Sequence, residues 1–135
     1  MNGGDGYVTP QEWMSKAAED LRAFNHQSMS VTPAGDWAYA PHTYTALGAL
    51  SRLVMMLPQA VQQSTVPVTH ALGLGRIVID GGGDPAAKAA ELYRAQHDAV
   101  VAAESLYRAV EAMHAATSPM GTDTRGLPEF EDDED

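Results

Sequence analysis

The chain has 135 residues, 44% of them hydrophobic, with no cysteine and a formal net charge of −10. The length suits one domain with a modest core, and the absence of cysteine excludes a disulfide framework, a thiol nucleophile and a cysteine metal site. No basic stripe is present, which argues against direct nucleic-acid binding, and the longest apolar run, Leu53–Leu57, is far short of the roughly 20 residues that a membrane span requires.

The charge is unevenly placed. From Trp37 to Ile79 there is no acidic residue, and Arg52 and Arg76 are the only full charges. Residues 123–135, by contrast, carry Asp123, Glu129, Glu131, Asp132, Asp133, Glu134 and Asp135 against Arg125 alone. A helix without a charged face buries most of its circumference against other helices, of its own chain or another. The acidic run reads as a solubilising tail or as an attractant for a basic partner. The first residues lack the basic and then apolar pattern of a secretory leader, so a soluble, cytoplasmic protein is expected.

Gly-rich residues 1–8 lead into Thr9-Pro10-Gln11-Glu12. Thr9 is a helix cap, Pro10 suits the first helical position, and Glu12 completes a capping box. This predicts a helix over 10–26, with Trp13, Ala17, Leu21 and Phe24 on one face. The same segment matches half of an EF-hand calcium loop, with Asp5, Gly6 and Glu12 in place. Met1 and Gly3 fill positions that need side-chain oxygens, so the cap is the better reading. Residues 27–41, punctuated by Pro33, Gly35 and Pro41, read as a connector that Trp37 and Tyr39 pin onto the helices.

A second helical stretch is predicted over 42–72. Leu47, Leu50, Val54, Leu57 and Val61 recur at spacings of three and four, a heptad seam. Pro58 and Pro67 divide this stretch into two or three pieces. Residues 73–84 form a Gly-rich turn, in which Arg76-Ile77-Val78-Ile79-Asp80 reads either as a short strand or as an ordered tip with its apolar side chains under the helix ends. Asp84 and Pro85 then open a helix over 85–117. Its seam is read as Ala89, Leu92, Gln96, Ala99, Ala103, Leu106, Val110 and Met113, with Tyr93 and Tyr107 flanking it. The expected fold is all-α: an antiparallel helical hairpin of 42–72 and 85–117 plus the N-terminal helix, in one domain of residues 1–118, followed by a flexible acidic tail over 119–135.

No reactive constellation emerges. Glu111-Ala112-Met113-His114 has the spacing of a di-iron bundle ligand pair, but the second helical stretch offers no acid to complete it, so Glu111 and His114 are expected to face solvent. His26, His42, His70, His97 and His114 lack zinc-like pairing. There is no Gly-x-Ser-x-Gly elbow, and Asp84 would repel a phosphate from the Gly81-Gly82-Gly83 turn. No catalytic residue, metal ligand or cofactor is assigned, and the chain is read as not an enzyme.

Tyr107-Arg108-Ala109-Val110-Glu111, late in the last helix, resembles the Tyr-x-x-x-Asp/Glu signal of WXG100-like type VII secretion substrates; the Trp-x-Gly turn of that family is absent. The Ala-rich helices, the Leu57-Pro58 step, the Gly82-Gly83-Asp84-Pro85 lead into the last helix and the acidic end are similar to small helical proteins of actinobacteria and their phages or mobile elements. That resemblance implies an interaction or structural role and no settled activity. The expected function is self-association, or docking on a larger assembly, through Leu47, Leu50, Val54, Leu57, Val61, Leu92, Leu106, Val110 and Met113. Two alternatives stand beside it: an acidic decoy inhibitor of a nucleic-acid-binding protein, acting through Glu129, Glu131, Asp132, Asp133, Glu134 and Asp135, and a secreted hairpin bearing Tyr107 and Glu111 as its signal. A protein partner or a second copy is expected, with no membrane and no direct nucleic-acid contact.

Overall fold

The computed structural model describes residues 6–29 and 35–131. Among them the chain is all-α, with no strand: α1 (Pro10–Gln27), α2 (Ala40–Met55), α3 (Leu57–Gln63), α4 (Val66–Gly73) and α5 (Pro85–Thr117), with single 3-10 turns at Gly35–Trp37 and Pro128–Phe130. Contacts divide the chain into residues 1–38 and 39–135. The division falls after Ala38, and the segment following Ser118 groups with the second unit.

In the first unit, local capping sets where α1 begins. The Thr9 N–H donates to Glu12 Oε1 at 3.2 Å, and the Glu12 N–H donates to Thr9 Oγ1 at 3.3 Å, so each residue satisfies a donor that the helix end would leave bare. Met1, Gly3 and Asp5, on which the calcium reading depended, lie outside the described residues, as does Pro33. At the other end the Ser28 N–H returns to the Phe24 carbonyl at 2.9 Å. Trp37 stands edge-on to the Phe24 ring at 5.7 Å, and Lys16 Nζ lies 5.0 Å over the Trp13 ring. No residue of α1 is buried.

In the second unit, the breaks between α2, α3 and α4 follow the prolines. Pro58 and Pro67 each sit in the first turn of a new helix, where a missing N–H does no harm. The turn before each cannot continue undistorted, because the ring opposes the carbonyl four residues back. Met56 (φ −85°, ψ −12°) and Thr65 (φ −96°, ψ −1°) absorb the change. Side chains take up carbonyls at the second break: Ser64 Oγ donates to the Ala60 carbonyl at 2.7 Å, and Thr65 Oγ1 donates to that of Gln62 at 2.9 Å.

Between α4 and α5, residues 76–79 have no regular secondary structure and form no strand. Ile77 and Ile79 are half-buried, while Val78 between them is 85% exposed. The tip reading therefore holds, with alternate side chains turned inward. Gly83 closes the turn at φ 140°, a conformation that favours glycine, and a Cβ there would also lie tightly, 3.3 Å, against Ile79 Cγ2. Asp84 Oδ1 then accepts from the Ala86 N–H at 3.2 Å, and α5 runs for 33 residues, about 50 Å.

Both α2 and α3 pack along α5, and α4 touches it. The links descend α5 as they ascend the other helices. Tyr44 stacks on His114 at 4.3 Å, Ser51 faces Glu111 closely enough to lower its pKa, Thr65 Oγ1 and Gln96 Oε1 lie 2.6 Å apart, and the Thr69 and Tyr93 hydroxyls meet at 2.5 Å.

The packed face of α5 differs from the expected one. The buried residues are Ala89, Ala103, Val110 and Thr117, and the half-buried ones that alternate with them include Tyr93, Val100, Tyr107 and His114. Ala99, Leu106 and Met113 are exposed, the last two at 48% and 54%. One leg of the heptad was thus read correctly; on the other Leu92 is half-buried beside Tyr93, and from Ala99 onward the inward position lies one residue further along. The physical reason is that α5 carries an apolar arc wider than one seam. Tyr93, Tyr107 and His114 find hydrogen-bonding or stacking partners when turned inward, and Leu106 and Met113 do not need any.

This register sets an order of mutational costs. Val54 is only 2% exposed, so Val54→Ala should cost about 2 kcal/mol. Leu106→Ala should cost less than about 1 kcal/mol. Urea unfolding of both variants at high dilution checks the order, and the reverse order would mean that the Leu106 side faces α2.

Candidate interaction surfaces

The residues expected to carry interaction fall into two groups. Leu47, Val54 and Val110 are buried, and Leu50, Leu57, Val61 and Leu92 are half-buried; these seven form the inside of the second unit and its margins. Leu106 and Met113 stand outside it. Of the acidic residues, Glu129 accepts a hydrogen bond from the Tyr39 hydroxyl, and Glu131 is exposed. Asp132, Asp133, Glu134 and Asp135 lie outside the described residues.

Glu111 and His114 were both expected to face solvent: the Glu111 side chain does so in part, at 43% exposure, while His114 is more covered at 24%, and the two belong to a polar cluster on one side of the α2–α5 contact. The Tyr107 hydroxyl donates to Glu111 Oε1 at 3.0 Å, and His114 Nδ1 lies 3.9 Å from Glu111 Oε2. The hydrogen bond from the buried Ser51 hydroxyl, followed by that from Tyr107, holds the Glu111 carboxyl below its ordinary pKa, while the same carboxylate raises the Tyr107 phenol. Gly48 leaves room for the His114 ring, since a Cβ at that position would lie 3.2 Å from His114 Nε2. Tyr107 and Glu111, the pair that resembles a secretion signal, are therefore bonded to each other and anchored to α2. Ser51 was not singled out from sequence, although it lies four residues after Leu47 and three before Val54, the spacing of the seam itself.

A second polar junction joins the segment after α5 to the start of α2. The Ala40 N–H donates to Thr122 Oγ1 at 2.7 Å, and the Tyr39 N–H donates to His42 Nδ1 at 3.2 Å. Tyr39 also stands edge-on to Phe130 at 5.3 Å. Its bond to Glu129 lowers that carboxyl's pKa and raises the phenol's. The described part of the expected flexible tail is thus tied to the α2 terminus, where Thr122 supplies the cap that Tyr39, having no short polar side chain, cannot.

The opposite side of the α2–α5 contact is apolar and open. Ala95, Ala99, Ala102, Leu106, Ala109 and Met113 follow one another at spacings of four and three, and every one is exposed. At about 100° per residue this stripe lies a quarter-turn around α5 from its packed face, away from Tyr107, Glu111 and His114. On α2 and α3 the matching flank is Leu50, Leu53 and Leu57, with Leu53 37% exposed. Near the Gly-rich turn, Val68, Ile77, Ile79, Pro85, Lys88, Ala89 and Leu92 enclose a shallow apolar cleft of about 220 Å³. Lys88 at its edge is paired with Glu91 at 3.3 Å.

On α1 the large apolar side chains are also exposed: Trp13 58%, Met14 51%, Leu21 44% and Phe24 45%. Among the described residues no three acidic or histidine side chains converge as a metal site, and no helix is long and apolar enough to cross a membrane. Comparison with known protein families, with characterised proteins and with solved structures finds no match to the chain.

The polar cluster gives the second unit an acid-sensitive contact. The folded-state pKa of Glu111 lies below its unfolded value, so its contribution to stability is present above the ordinary carboxylate range and is lost as pH falls through the lowered value. Ser51→Ala should reduce this loss, giving a flatter dependence of unfolding midpoint on pH between neutral and acid than the unsubstituted chain shows. Parallel curves for the two proteins would remove Ser51 from the linkage.

Proposed function

We propose that this protein is a non-enzymatic helical interaction protein that self-associates. In this reading residues 40–117 form an antiparallel helical hairpin, kinked at Met56 and Thr65, and one face of that hairpin is a binding surface. The observation that carries the reading is the row of exposed apolar side chains on α5, Leu106 and Met113 with the alanines between them, beside Leu53 of α2. Scattered exposed apolar residues are ordinary, but a contiguous apolar stripe on an otherwise charged helix marks a contact surface. Elsewhere on its circumference α5 carries Arg94, Asp98, Glu104 and Arg108, all exposed, so the bare stripe is not a general feature of the helix.

The polar cluster supports a scaffolding role over a chemical one. Ser51, Tyr107, Glu111 and His114 are committed to one another, and their contacts link α2 to α5. The arrangement fixes helix register.

Light scattering coupled to size exclusion, at two protein concentrations and two salt levels, tests the proposal. A discrete oligomer that persists at high salt is expected, because apolar contacts are not screened as surface ion pairs are. A strict monomer at the higher concentration overturns self-association.

A further inference from the structure

We infer that residues 119–131 form a strap that closes over the first turn of α2 and opens as one piece while the α2–α5 contact stays folded. The device is independent of self-association.

The strap closes through two latches on neighbouring residues. The first is Thr122, whose Oγ1 accepts the Ala40 N–H at 2.7 Å. The second is Glu129, which accepts the Tyr39 hydroxyl, with Phe130 edge-on to the same ring at 5.3 Å. The 3-10 turn at Pro128–Phe130 brings Glu129 and Phe130 to Tyr39 together. Between the latches the chain is held by bonds of its own. Arg125 Nη2 donates to Asp123 Oδ2 at 2.6 Å, the Arg125 N–H donates to Asp123 Oδ1 at 3.1 Å, and the Leu127 N–H donates to the Thr124 carbonyl at 3.1 Å. These bonds lie within the strap and need not break when it lifts, so the segment moves as one piece.

Closure is shallow. No residue of 119–131 is buried, and only Thr122, Thr124 and Leu127 are half-buried. Phe130 remains 47% exposed against Tyr39. Opening therefore withdraws nothing from the core, in which Leu47, Ser51 and Val54 of α2 are buried. A segment held by exposed hydrogen bonds and little apolar burial opens at a lower free energy than the unit that carries it. The two latches support each other: with one closed, the other closes over a short loop instead of from a free end.

The strap governs the start of α2. Thr122 supplies the side-chain oxygen that meets the Ala40 N–H, and Pro41 beside it has no N–H to be met. Lifting the strap leaves the Ala40 donor to water and frees the Tyr39 ring, so the first turn of α2 frays with it. In two states, the strap covers Tyr39 and the α2 terminus or presents them.

Nuclear magnetic resonance on the full chain tests the strap. In the unsubstituted protein the backbone order parameters of residues 123–130 should match those of α5, and the Ala40 amide should exchange about tenfold or more faster than that of Val110. Thr122→Val and Tyr39→Phe should each speed Ala40 exchange several-fold. Combined, they should lower the order parameters of 123–130 in step to below about 0.6, with exchange at Val54 and Val110 unchanged. The strap is overturned if Ala40 and Val110 exchange at one rate, if Thr122→Val leaves Ala40 exchange unmoved, or if a latch variant speeds Val110 as much as Ala40. Order parameters below about 0.6 across 123–130 before any substitution overturn it as well.

Discussion

Close approach of α2 to α5 is the constraint on which the second unit depends. It is made possible by what is missing from the contact. At heptad-spaced positions α5 buries residues of small or moderate size, Ala89, Ala103, Val110 and Thr117, with half-buried Gln96 at the remaining one, and α2 answers with Leu47, Ser51 and Val54. No large side chain is fully buried among the described residues. Such a core gains little area from any one residue, so its stability is spread over the length of α5. The shortening of α2, α3 and α4 by proline matters less than it would in an isolated helix, because each piece is held by the same continuous partner.

The two flanks of this contact differ in kind. On one flank Tyr44, Ser51, Tyr107, Glu111 and His114 engage one another across the helices, and Thr65 with Gln96 and Thr69 with Tyr93 continue the polar links towards the turn. A one-turn slip of α2 along α5 would leave Ser51 and the Glu111 carboxylate without each other, so these contacts specify register where alanine and leucine alone would tolerate sliding. The other flank is mostly apolar, and Ala95, Ala99, Ala102, Leu106, Ala109 and Met113 of α5 continue past the packed face.

Local signals were the legible part of this sequence. Thr9, Pro10 and Glu12 mark the start of α1, Asp84 and Pro85 mark the start of α5, and Pro58 and Pro67 mark the interruptions, because each acts on backbone groups within four residues of itself. The all-α character follows from the same signals. The choice between Leu106 and Tyr107 as the inward residue was not legible: apolarity favours the former, whereas the latter bonds Glu111 one turn on, and Glu111 in turn faces Ser51, which is distant in sequence. The return of the chain after α5 was illegible for the same reason. An acidic, Gly- and Pro-containing stretch reads as solvated by composition, and nothing within it announces that Thr122 will cap a helix beginning at Ala40, or that Glu129 will receive the Tyr39 hydroxyl.

The ladder of contacts between the helices has a kinetic meaning as well. The sequence separation of its rungs grows from 24 residues for Thr69 with Tyr93 and 31 for Thr65 with Gln96 to 82 for Ala40 with Thr122 and 90 for Tyr39 with Glu129. Each rung, once made, shortens the loop that the next must close, so the entropy of closure is met in small steps from the Gly-rich turn outward. By loop-closure entropy alone, pairing outward from the Gly-rich turn is the least costly order, and the contacts of Thr122 and Glu129 are the most costly to close first.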